Sequence, residues 1–518
     1  MTIPAGLTQN QFDNALSEFR EVVGNDWVFT IDEHIAMYKD YFSPLQNTER
    51  QPIPSAAVAP VDVEGVQGIL RIANDYKIPL WSISTGKNYG YGGPDARVSG
   101  SVILDLKRMN RILELNEEHA YALVEPGVSH YDLWLEIRRR GMKLWTDGPS
   151  PAYASIIGNT LERGAGYGLM GERAAAQCGM EVVLANGDVL RTGMGANSNA
   201  ETWQQYKYGL GPYVDGMFSQ SNLGIVTKMG IWLIPEPPAF RSAEVYVPNH
   251  EDIIPLIDTL RPLRISNVVA NSATASTNRG GYVEGAQGPG GGIAGGPNVP
   301  GGPPPSPPGW RARLGFYGYD RVVEANWEQV QDEFSSAITG AQFESVRYTS
   351  PYNPDDMLTE SKLAAGIPSF QEAPIWNHGA TFVSVVLPFT GADYWDLMET
   401  YDGLYQNYGM RYMGGPLHFH TPRSLMILAG VPLSPTDNAV NERSLALAEE
   451  LINASAAKGW SEYRTPLVLM DHAMESYDFN NHALRRFHET LKDTLDPNGI
   501  LSPGKNGVWP QQYREDQA

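Results

Sequence analysis

The sequence predicts an α+β protein with more than one structural unit, and three observations support this fold class. Residues 58–230 contain short β-rich runs separated by glycine turns, with helix-period stretches between them. Around residues 235–238 this pattern ends, and residues 239–460 alternate longer helical patterns with strands. The length of 518 residues is too great for one core, since domains typically hold roughly 100 to 200 residues.

Local signals place the elements in order along the first part of the chain. Residues 63–77 carry apolar side chains three and four positions apart, which predicts a helix. In 180–193, Asn186 and Gly187 separate two apolar runs and predict a hairpin in which both residues have positive φ. Residues 478–495 predict a helix near the end of the chain. The β-rich runs that predict strands are 79–84, 101–106, 122–128, 180–193 and 224–234.

The segment 285–309 consists largely of Gly and Pro. Such a composition buries too little apolar surface to offset the entropy of ordering the chain. We expect an exposed, mobile insertion, and a tolerated surface loop is favoured over a functional one.

Charge and composition exclude several classes of function. The net charge of −21 opposes binding to nucleic acid or to anionic membrane surfaces. A single cysteine, Cys178, can form neither an intramolecular disulfide nor a multi-thiolate metal site. The first thirty residues do not read as a secretory signal, and no run approaches the roughly 18 to 20 apolar residues of a membrane span. We expect a soluble, cytoplasmic protein that forms a homodimer or a higher homo-oligomer.

Three glycine-rich segments in the β-rich part suggest a cofactor site. Residues 86–93 could bring backbone N–H groups close to an anion, although they match neither the Rossmann nor the P-loop pattern. Alone, such a loop is more often an ordinary turn. Because similar segments follow at 158–167 and 221–226, the set predicts a site for a long dinucleotide.

Six sequence runs resemble the vanillyl-alcohol oxidase and 4-cresol dehydrogenase family of FAD enzymes. They cover nearly all of 58–235 and 460–510, whereas 239–459 is weakly matched. The resemblance implies an FAD-binding domain of the vanillyl-alcohol oxidase type in two segments, 1–238 and 460–518. An α/β cap domain, 239–459, would lie over the isoalloxazine ring. The runs are STGKNYGYGGPDARVSGSVILDL, VEPGVSHYDL, IGNTLERGAGYG, CGMEVVLANGDVLRTGMG, YGLGPYVDGMFSQSNLGIVTKMGIWL and EYRTPLVLMDHAMESYDFNN with DPNGILSPGKNGVWP.

The resemblance carries a set of FAD-binding positions onto this sequence. The first group would hold the pyrophosphate, and it comprises Ser84, Thr85, Gly86, Lys87, Asn88 and Tyr89. The second group would lie along the rest of the cofactor, and it comprises Pro149, Gly158, Asn159, Arg163, Gly164, Gly166, Gly224, Ile225 and Lys505.

The resemblance also implies a phenolate-binding trio formed by Tyr91, Tyr463 and Arg464. One guanidinium and two phenolic donors favour the ionised form of a phenol, and a phenolate can expel hydride from its benzylic carbon to become a p-quinone methide. We therefore expect oxidation of a 4-alkylphenol, with or without lignin-type methoxy groups. Tyr167 and Phe382 are expected to line the pocket. Dioxygen or an electron-transfer protein would be the electron acceptor.

The sequence departs from the family where an Asp usually lies close to flavin N5, since Ser150 occupies that position. Serine is not an ionised base, so another group would assist the addition of water, and the candidates are His418, His420 and Glu462. We expect the two histidines to point to opposite faces of one strand, so that at most one faces the flavin. No carboxylate or third histidine lies close to them in sequence, so no metal site is predicted.

Two further departures concern the flavin linkage and the insertion. The residue that tethers the flavin in the family aligns with Ala380 or Thr381, which predicts non-covalently bound FAD. A gap of one or two residues would instead place His378 there. The Gly/Pro segment 285–309 has no counterpart in the family.

Two other functions stay open at this stage. A flavoenzyme of the same fold could oxidise a sugar or a 2-hydroxy acid, with Arg464 facing a carboxylate. A catalytically inactive flavin-binding protein would keep its flavin oxidised whatever the substrate.

Overall fold

A computed structural model of the protein describes residues 2–40, 42–148, 151–277, 309–368, 379–412 and 417–514. The strands in these ranges are β1 (Val28–Phe29), β2 (Ala56–Val58), β3 (Leu80–Ile83), β4 (Val102–Asp105), β5 (Ile112–Asn116), β6 (Tyr121–Val124), β7 (Leu144–Trp145), β8 (Gln177–Val183), β9 (Val189–Arg191), β10 (Ile225–Trp232), β11 (Ile234–Pro235), β12 (Ala239–Val247), β13 (Ala273–Thr277), β14 (Trp310–Gly318), β15 (Gln342–Thr349), β16 (Ala380–Pro388), β17 (Leu417–Thr421), β18 (Ser424–Pro432) and β19 (Ser461–Arg464). The helices are α1 (Gln9–Val23), α2 (Asp32–Ala36), α3 (Val63–Tyr76), α4 (His130–Arg139), α5 (Ile156–Leu161), α6 (Arg173–Ala176), α7 (Ile253–Ile265), α8 (Asp320–Ala337), α9 (Thr359–Lys362), α10 (Gly391–Asn407), α11 (Asn438–Ala457), α12 (Met470–Glu475), α13 (Phe479–Leu495) and α14 (Gln511–Arg514).

A small sheet near the N-terminus has the strand order β1-β2-β4-β3. β4 runs parallel to β2 and β3, whereas β1 is antiparallel to β2. The apolar stripes of α1 and α3 meet this sheet in one hydrophobic core. α3 begins where the Asp62 side chain accepts a hydrogen bond from Gly65 N and ends at Lys77, which has positive φ, so the helix predicted at 63–77 is confirmed.

A second, antiparallel sheet has the order β5-β6-β10-β8-β9, and α4 and α5 contribute to its core. The predicted hairpin connects β8 to β9, with Val183 opposite Val189. The prediction that both turn residues have positive φ was wrong, because only Gly187 of the pair does so (φ 89°). The five-residue connection is longer than a two-residue turn, and the Asn186 side chain accepts a hydrogen bond from Asp188 N within it.

The third large sheet is antiparallel, with the order β15-β12-β14-β13-β17-β18-β16-β19. Helices α7, α8, α10 and α11 supply the helical side of its core. β19 begins one residue after the domain boundary predicted at residue 460, yet it pairs with β16. The predicted division into domains at 238 and 460 stays a prediction.

The predicted insertion 285–309 lies outside the described residues except for Gly309. The strands on either side of it are paired, and Thr277 at the end of β13 lies opposite Trp310 at the start of β14. The two ends of the intervening segment are therefore neighbours in space.

The C-terminal part of the chain returns to the first sheet. Leu80 in β3 accepts a hydrogen bond from Ser502 N (2.8 Å) and donates one to Ile500 O (2.7 Å). The helix predicted at 478–495 is observed as α13, although residues 480–482 have left-handed backbone angles. None of the helices in the described ranges is long and apolar enough to cross a membrane.

Candidate functional site

The loop that follows β3 lies against the large sheet. Gly90 (φ 76°) passes so close to β16 that a Cβ atom there would clash with the Phe382 ring, and a Cβ on Gly92 (φ 124°) would clash with Leu467. Glycine satisfies both the close approach and the positive φ. These positions place the loop between β3 and β16.

The first half of this loop can receive an anion. The structure records no hydrogen bond donated by the backbone N–H groups of Thr85, Gly86 or Lys87 to the residues it describes. Gly86 has positive φ (66°), and these residues are partly or fully exposed. Accessible backbone N–H groups at a glycine turn form an anion-binding concavity. The loop can therefore receive an anionic group, and binding of the pyrophosphate here stays a prediction.

The second glycine segment begins in α5 and packs against the first. A Cβ on Gly158 would clash with the Ser84 hydroxyl, and a Cβ on Gly164 would clash with the Asn159 side chain. Gly166 lies equally close to the Asp147 carboxylate. These predicted cofactor residues are therefore brought together, whereas Arg163 of the same segment is exposed.

The third glycine segment meets the C-terminal loop. Gly224 packs against Val182, and Ile225 lies in β10 opposite Val183. The Asn222 side chain donates hydrogen bonds to Ser502 O (3.2 Å) and Val508 O (3.0 Å). This brings the loop that carries Lys505 next to the other two segments.

Lys505 forms an ion pair with Glu162 at 2.5 Å. Burial alone would raise the pKa of Glu162, but Lys505 and then Arg464 outweigh it and lower that pKa. Glu162 thus connects the predicted cofactor residue Lys505 electrostatically to the predicted substrate residue Arg464. Nothing in the sequence singles out Glu162, because a lone glutamate in a glycine run carries no motif.

The trio Tyr91, Tyr463 and Arg464 converges beside this loop. The Arg464 guanidinium lies 4.1 Å from the Tyr91 ring centroid, and its Nη2 donates a hydrogen bond to Asn88 Oδ1. Burial and the neighbouring Tyr463 raise the pKa of Tyr91, while Arg464 acts in the opposite direction. Burial likewise raises the pKa of Tyr463. Both phenolic hydroxyls therefore stay protonated and can donate hydrogen bonds to an anion held by the guanidinium.

Aromatic side chains lie beside Tyr91 and beside His418. The Phe382 ring stacks on Tyr91 with centroids 5.4 Å apart. Tyr167, the second side chain predicted to line the pocket, has its ring centroid 5.8 Å from that of His418. Planar apolar surfaces beside charged donors suit an aromatic ligand with one anionic edge.

His418 and His420 in β17 share one face of the strand, so the expectation of opposite faces was wrong. Side chains two positions apart lie on the same side of a strand, and Phe419 between them packs into the opposite core against Phe389. Burial, and then His420, lowers the pKa of His418 to about 3. Burial, and then Arg173, lowers the pKa of His420 to about 4. Both imidazoles are therefore neutral at physiological pH.

Glu462 in β19 is buried, and its Oε1 accepts a hydrogen bond from Ser384 N at 2.6 Å. Burial raises the pKa of this carboxyl well above its usual value. The Ser384 hydroxyl lies 2.6 Å from the Tyr91 hydroxyl. Nothing in the sequence singles out Ser384, since a serine inside an apolar strand shows no sign of a partner at position 91.

Arg173 in α6 was not predicted either, although it is buried and interacts electrostatically with Tyr463 and Arg464. Its guanidinium donates hydrogen bonds to Asn159 Oδ1 (2.8 Å) and to Asp147 O (3.0 and 3.1 Å). Burial lowers the pKa of Arg173, and Asp147 is the first of the groups that oppose this. Arg173 therefore ties the second glycine segment to the 145–148 segment.

Two buried carboxyls lie under the loop that carries Tyr91. Asp40 accepts a hydrogen bond from Phe42 N, and Asp95 accepts one from Ala96 N, each at 2.9 Å. Burial raises the pKa of Asp40 to about 7. Burial, and then the charge of Asp40, raises the pKa of Asp95 to about 8. Near neutral pH these groups hold protons that exposed aspartates would release.

Three predicted site residues, Pro149, Ser150 and His378, lie outside the described residues.

The two residues at the predicted tethering position, Ala380 and Thr381, are buried in β16, where the Thr381 hydroxyl donates a hydrogen bond to Gly90 O at 3.5 Å. Within the part of the chain that the structure describes, no three His, Cys, Asp or Glu side chains form a group that could hold a metal ion.

Comparison with known proteins identifies relatives over the full length. Residues 54–193 match the FAD binding domain family. The chain is 34% identical to the 4-cresol dehydrogenase [hydroxylating] flavoprotein subunit of Pseudomonas putida, over 98% of this chain and 97% of that protein. The structure of 4-ethylphenol oxidase from Gulosibacter chungangensis in complex with isoeugenol superposes with a TM-score of 0.89 at 35% identity, covering 99% of this chain and 100% of that one. Substrate-bound p-cresol methylhydroxylase gives a TM-score of 0.87 at 34% identity, with 98% and 99% covered.

Proposed function

Because the chain belongs to the vanillyl-alcohol oxidase and 4-cresol dehydrogenase family of FAD-dependent oxidoreductases, we propose that it oxidises the benzylic carbon of a 4-alkylphenol. The relatives are named for 4-cresol and 4-ethylphenol, which share a phenolic hydroxyl opposite an alkyl group. The substrate would bind as its phenolate. Methoxy groups on the ring are compatible with this proposal and are not required by it.

The observation that carries the proposal is the convergence of Tyr91, Tyr463 and Arg464. A guanidinium 4.1 Å from the Tyr91 ring and two protonated phenolic hydroxyls would form a site for one aromatic oxyanion. Such donors lower the pKa of a bound phenol because they stabilise only its charged form. Ionisation pushes electron density toward the para carbon, from which the benzylic hydride is expelled.

FAD is the cofactor of this family, and when bound it supplies the acceptor for that hydride. The Thr85–Lys87 backbone would hold the pyrophosphate, and Lys505 would lie along the remainder of the molecule. We propose that FAD binds without a covalent bond, since Ala380 and Thr381 provide no imidazole or phenol at the tethering position.

Loss of hydride would leave the substrate as a neutral p-quinone methide, to which water adds at the benzylic carbon. We propose that His418 or His420 orients this water by accepting a hydrogen bond from it, since both rings are neutral and lie near Tyr167 or Arg173. The proton that the added water releases is balanced by the phenolate that forms again on the ring oxygen. Both ring nitrogens of His418 and Nδ1 of His420 are buried without a hydrogen-bond partner among the described residues. Glu462 is the third candidate, but one of its oxygens is already used by Ser384 N.

Anaerobic mixing tests the proposal directly. The purified holoprotein would be mixed with a panel of 4-alkylphenols, sugars and 2-hydroxy acids while the flavin absorbance is followed. We expect 4-alkylphenols alone to bleach the flavin. Bleaching by a sugar or hydroxy acid instead would support the same-fold alternative, and no bleaching by any compound would indicate an inactive flavin-binding protein. Reoxidation by air or by an electron-transfer protein then identifies the acceptor.

We propose the division into two FAD-binding segments, 1–238 and 460–518, with a cap at 239–459, on the same family relationship. The cytoplasmic location and the homo-oligomeric state stay predictions. Size-exclusion chromatography with light scattering tests the oligomeric state.

A further inference from the structure

Ser384 is buried in β16 with its Oγ 2.6 Å from Tyr91 Oη. We propose that Ser384 is a positioning residue that fixes the direction in which Tyr91 donates its proton. The Ser384 hydroxyl would donate to Tyr91 Oη, so that the Tyr91 hydroxyl donates to the phenolate oxygen of the substrate. This inference rests on the proposed function of the trio.

The proton count selects this direction. Tyr91 and Ser384 each have one hydroxyl proton, and either oxygen could be the donor of the bond between them. If Tyr91 donated to Ser384, its oxygen would turn only lone pairs toward the bound anion. With Ser384 as the donor, the Tyr91 proton is free for the phenolate, and each bond in the chain polarises the next.

The strand geometry explains why Ser384 can act on Tyr91. Phe382 and Ser384 are two positions apart and lie on the same face of β16, where Phe382 stacks on the Tyr91 ring and Ser384 contacts its hydroxyl. One face of β16 therefore contacts both the ring and the hydroxyl of Tyr91.

The pairing of β16 with β19 fixes Ser384 relative to the rest of the trio. Ser384 lies opposite Arg464, and the register shifts between Ser384 and Val385. At this irregularity Glu462 Oε1 accepts a hydrogen bond from Ser384 N at 2.6 Å. The Glu462 carboxyl thereby holds the Ser384 main chain where the regular ladder is interrupted.

The test is a double-mutant cycle read by the pKa of a bound phenol. The probe is 4-hydroxyacetophenone, whose carbonyl replaces the oxidisable benzylic C–H and whose absorption changes on ionisation. Bound to the holoprotein, it would be titrated in the parent, Ser384→Ala, Tyr91→Phe and the double variant. We expect Ser384→Ala to raise the pKa of the bound phenol by roughly 0.5 to 1 and to slow flavin reduction by a 4-alkylphenol roughly 2- to 10-fold. In the Tyr91→Phe background, Ser384→Ala should change neither the pKa of the bound phenol nor the rate of flavin reduction any further.

A matched control is available in another buried serine–tyrosine pair. Ser455 Oγ lies 2.8 Å from Tyr401 Oη between α11 and α10. Ser455→Ala removes the same type of hydrogen bond, so it should leave the pKa of the bound phenol unchanged. Ser384→Thr keeps a hydroxyl and should retain the parental value.

The outcomes distinguish the role of Ser384 from the proposed phenolate site itself. An unchanged pKa in Ser384→Ala, or an equal change in both Tyr91 backgrounds, would overturn the role of Ser384 and leave the phenolate site intact. If the parent neither lowers the pKa of the probe nor is reduced by any 4-alkylphenol, the proposed function fails, and this inference fails with it.

Discussion

Arg464 provides the positive charge of the proposed phenolate site. Losing a charge-assisted pair in a closed pocket costs on the order of 2 to 4 kcal/mol, or about 30- to 1,000-fold in rate. We expect Arg464→Ala to keep FAD bound and to slow flavin reduction by a 4-alkylphenol by that factor. Tyr91→Phe and Tyr463→Phe should show smaller losses. Stopped-flow measurement of flavin reduction checks this.

The pH dependence of Arg464→Ala separates its charge from its packing. Without the guanidinium, the pKa of the bound phenol rises, so flavin reduction should recover at alkaline pH. A parental rate at every pH would mean that the phenolate assignment is wrong, and it would favour a sugar or hydroxy acid as substrate.

The buried carboxyls of Asp40 and Asp95 predict a stability that depends on pH. Their folded-state pKa values are raised to about 7 and about 8, so the folded protein keeps protons that the unfolded chain releases above about pH 4. Stability is therefore greatest below pH 4 with respect to these groups and falls as pH rises toward 8. Between pH 5 and pH 8, the free energy of unfolding of Asp40→Asn should rise by about 2 to 3 kcal/mol relative to that of the parent.

Denaturant unfolding at pH 5 and pH 8 measures this difference, and Asp95→Asn should behave in the same way. Asp26→Asn, at an exposed aspartate, provides the control for the substitution itself. If the difference in unfolding free energy between the parent and Asp40→Asn is the same at pH 5 and pH 8, the carboxyl is not held protonated.

At the level of single residues, the sequence identified the charged and phenolic groups that carry recognisable motifs, and missed groups defined only by a distant partner. Tyr91, Tyr463 and Arg464 came from a family pattern. Ser384 lies 293 positions from Tyr91, and no local signal connects the two. The histidine prediction failed for another reason, since residues two positions apart in a strand, such as His418 and His420, lie on the same face and not on opposite faces.

Among the elements, β16 carries Ala380 and Thr381 beside Gly90, and these two residues align with the tethering position of the family. We expect acid precipitation of the denatured holoprotein to release most of the FAD into the supernatant. Flavin that stays with the pellet would contradict this. His378→Ala is the diagnostic variant in that case, since loss of the attachment would identify His378 as the tether.

The connection between β13 and β14 should tolerate shortening. Thr277 lies opposite Trp310, so a short turn can close the same pair of strands. Deleting residues 285–309 with a short linker in their place should leave thermal unfolding and turnover close to parental, because closure entropy changes slowly with loop length. A large loss of FAD binding or turnover would instead show that this segment takes part in the site.

Helices and strands with a local signal were predicted well, and the sheets that they form were not. The apolar spacing in α3 and the runs that form β4 and β10 are properties of neighbouring residues. The order of the eight-stranded sheet depends on pairings between distant segments, such as β13 with β17, which no local pattern specifies.

At the scale of the whole molecule, Lys492 holds the C-terminal part of the chain to the glycine segments. Its ammonium group is fully buried and donates hydrogen bonds to Asn222 O (2.7 Å), Leu501 O (2.6 Å) and Asp496 Oδ2 (2.6 Å). Lys492→Met removes one partner of a buried ion pair, and it should cost about 3 to 5 kcal/mol in unfolding free energy and weaken FAD binding.

Thermal unfolding and FAD titration check this prediction. Lys458 supplies the control, because its pair with Asp396 is partly exposed and contributes about 0 to 1 kcal/mol. If Lys492→Met and Lys458→Met have equal effects, the buried contact does not hold the cofactor segments together.

The return of residues 500–502 to β3 has a consequence for biosynthesis. Chains are made at roughly 5 to 20 residues per second, so Leu80 leaves the ribosome roughly 20 to 80 seconds before Leu501 is added. Throughout that interval Leu80 lacks the hydrogen bonds that Ile500 and Ser502 provide, and β3 presents an unpaired strand edge that is prone to association with other chains. The predicted cofactor residue Lys505 is also added only after that interval, so we expect FAD to bind after residue 505 has been made and the need for protection from aggregation to be greatest before then.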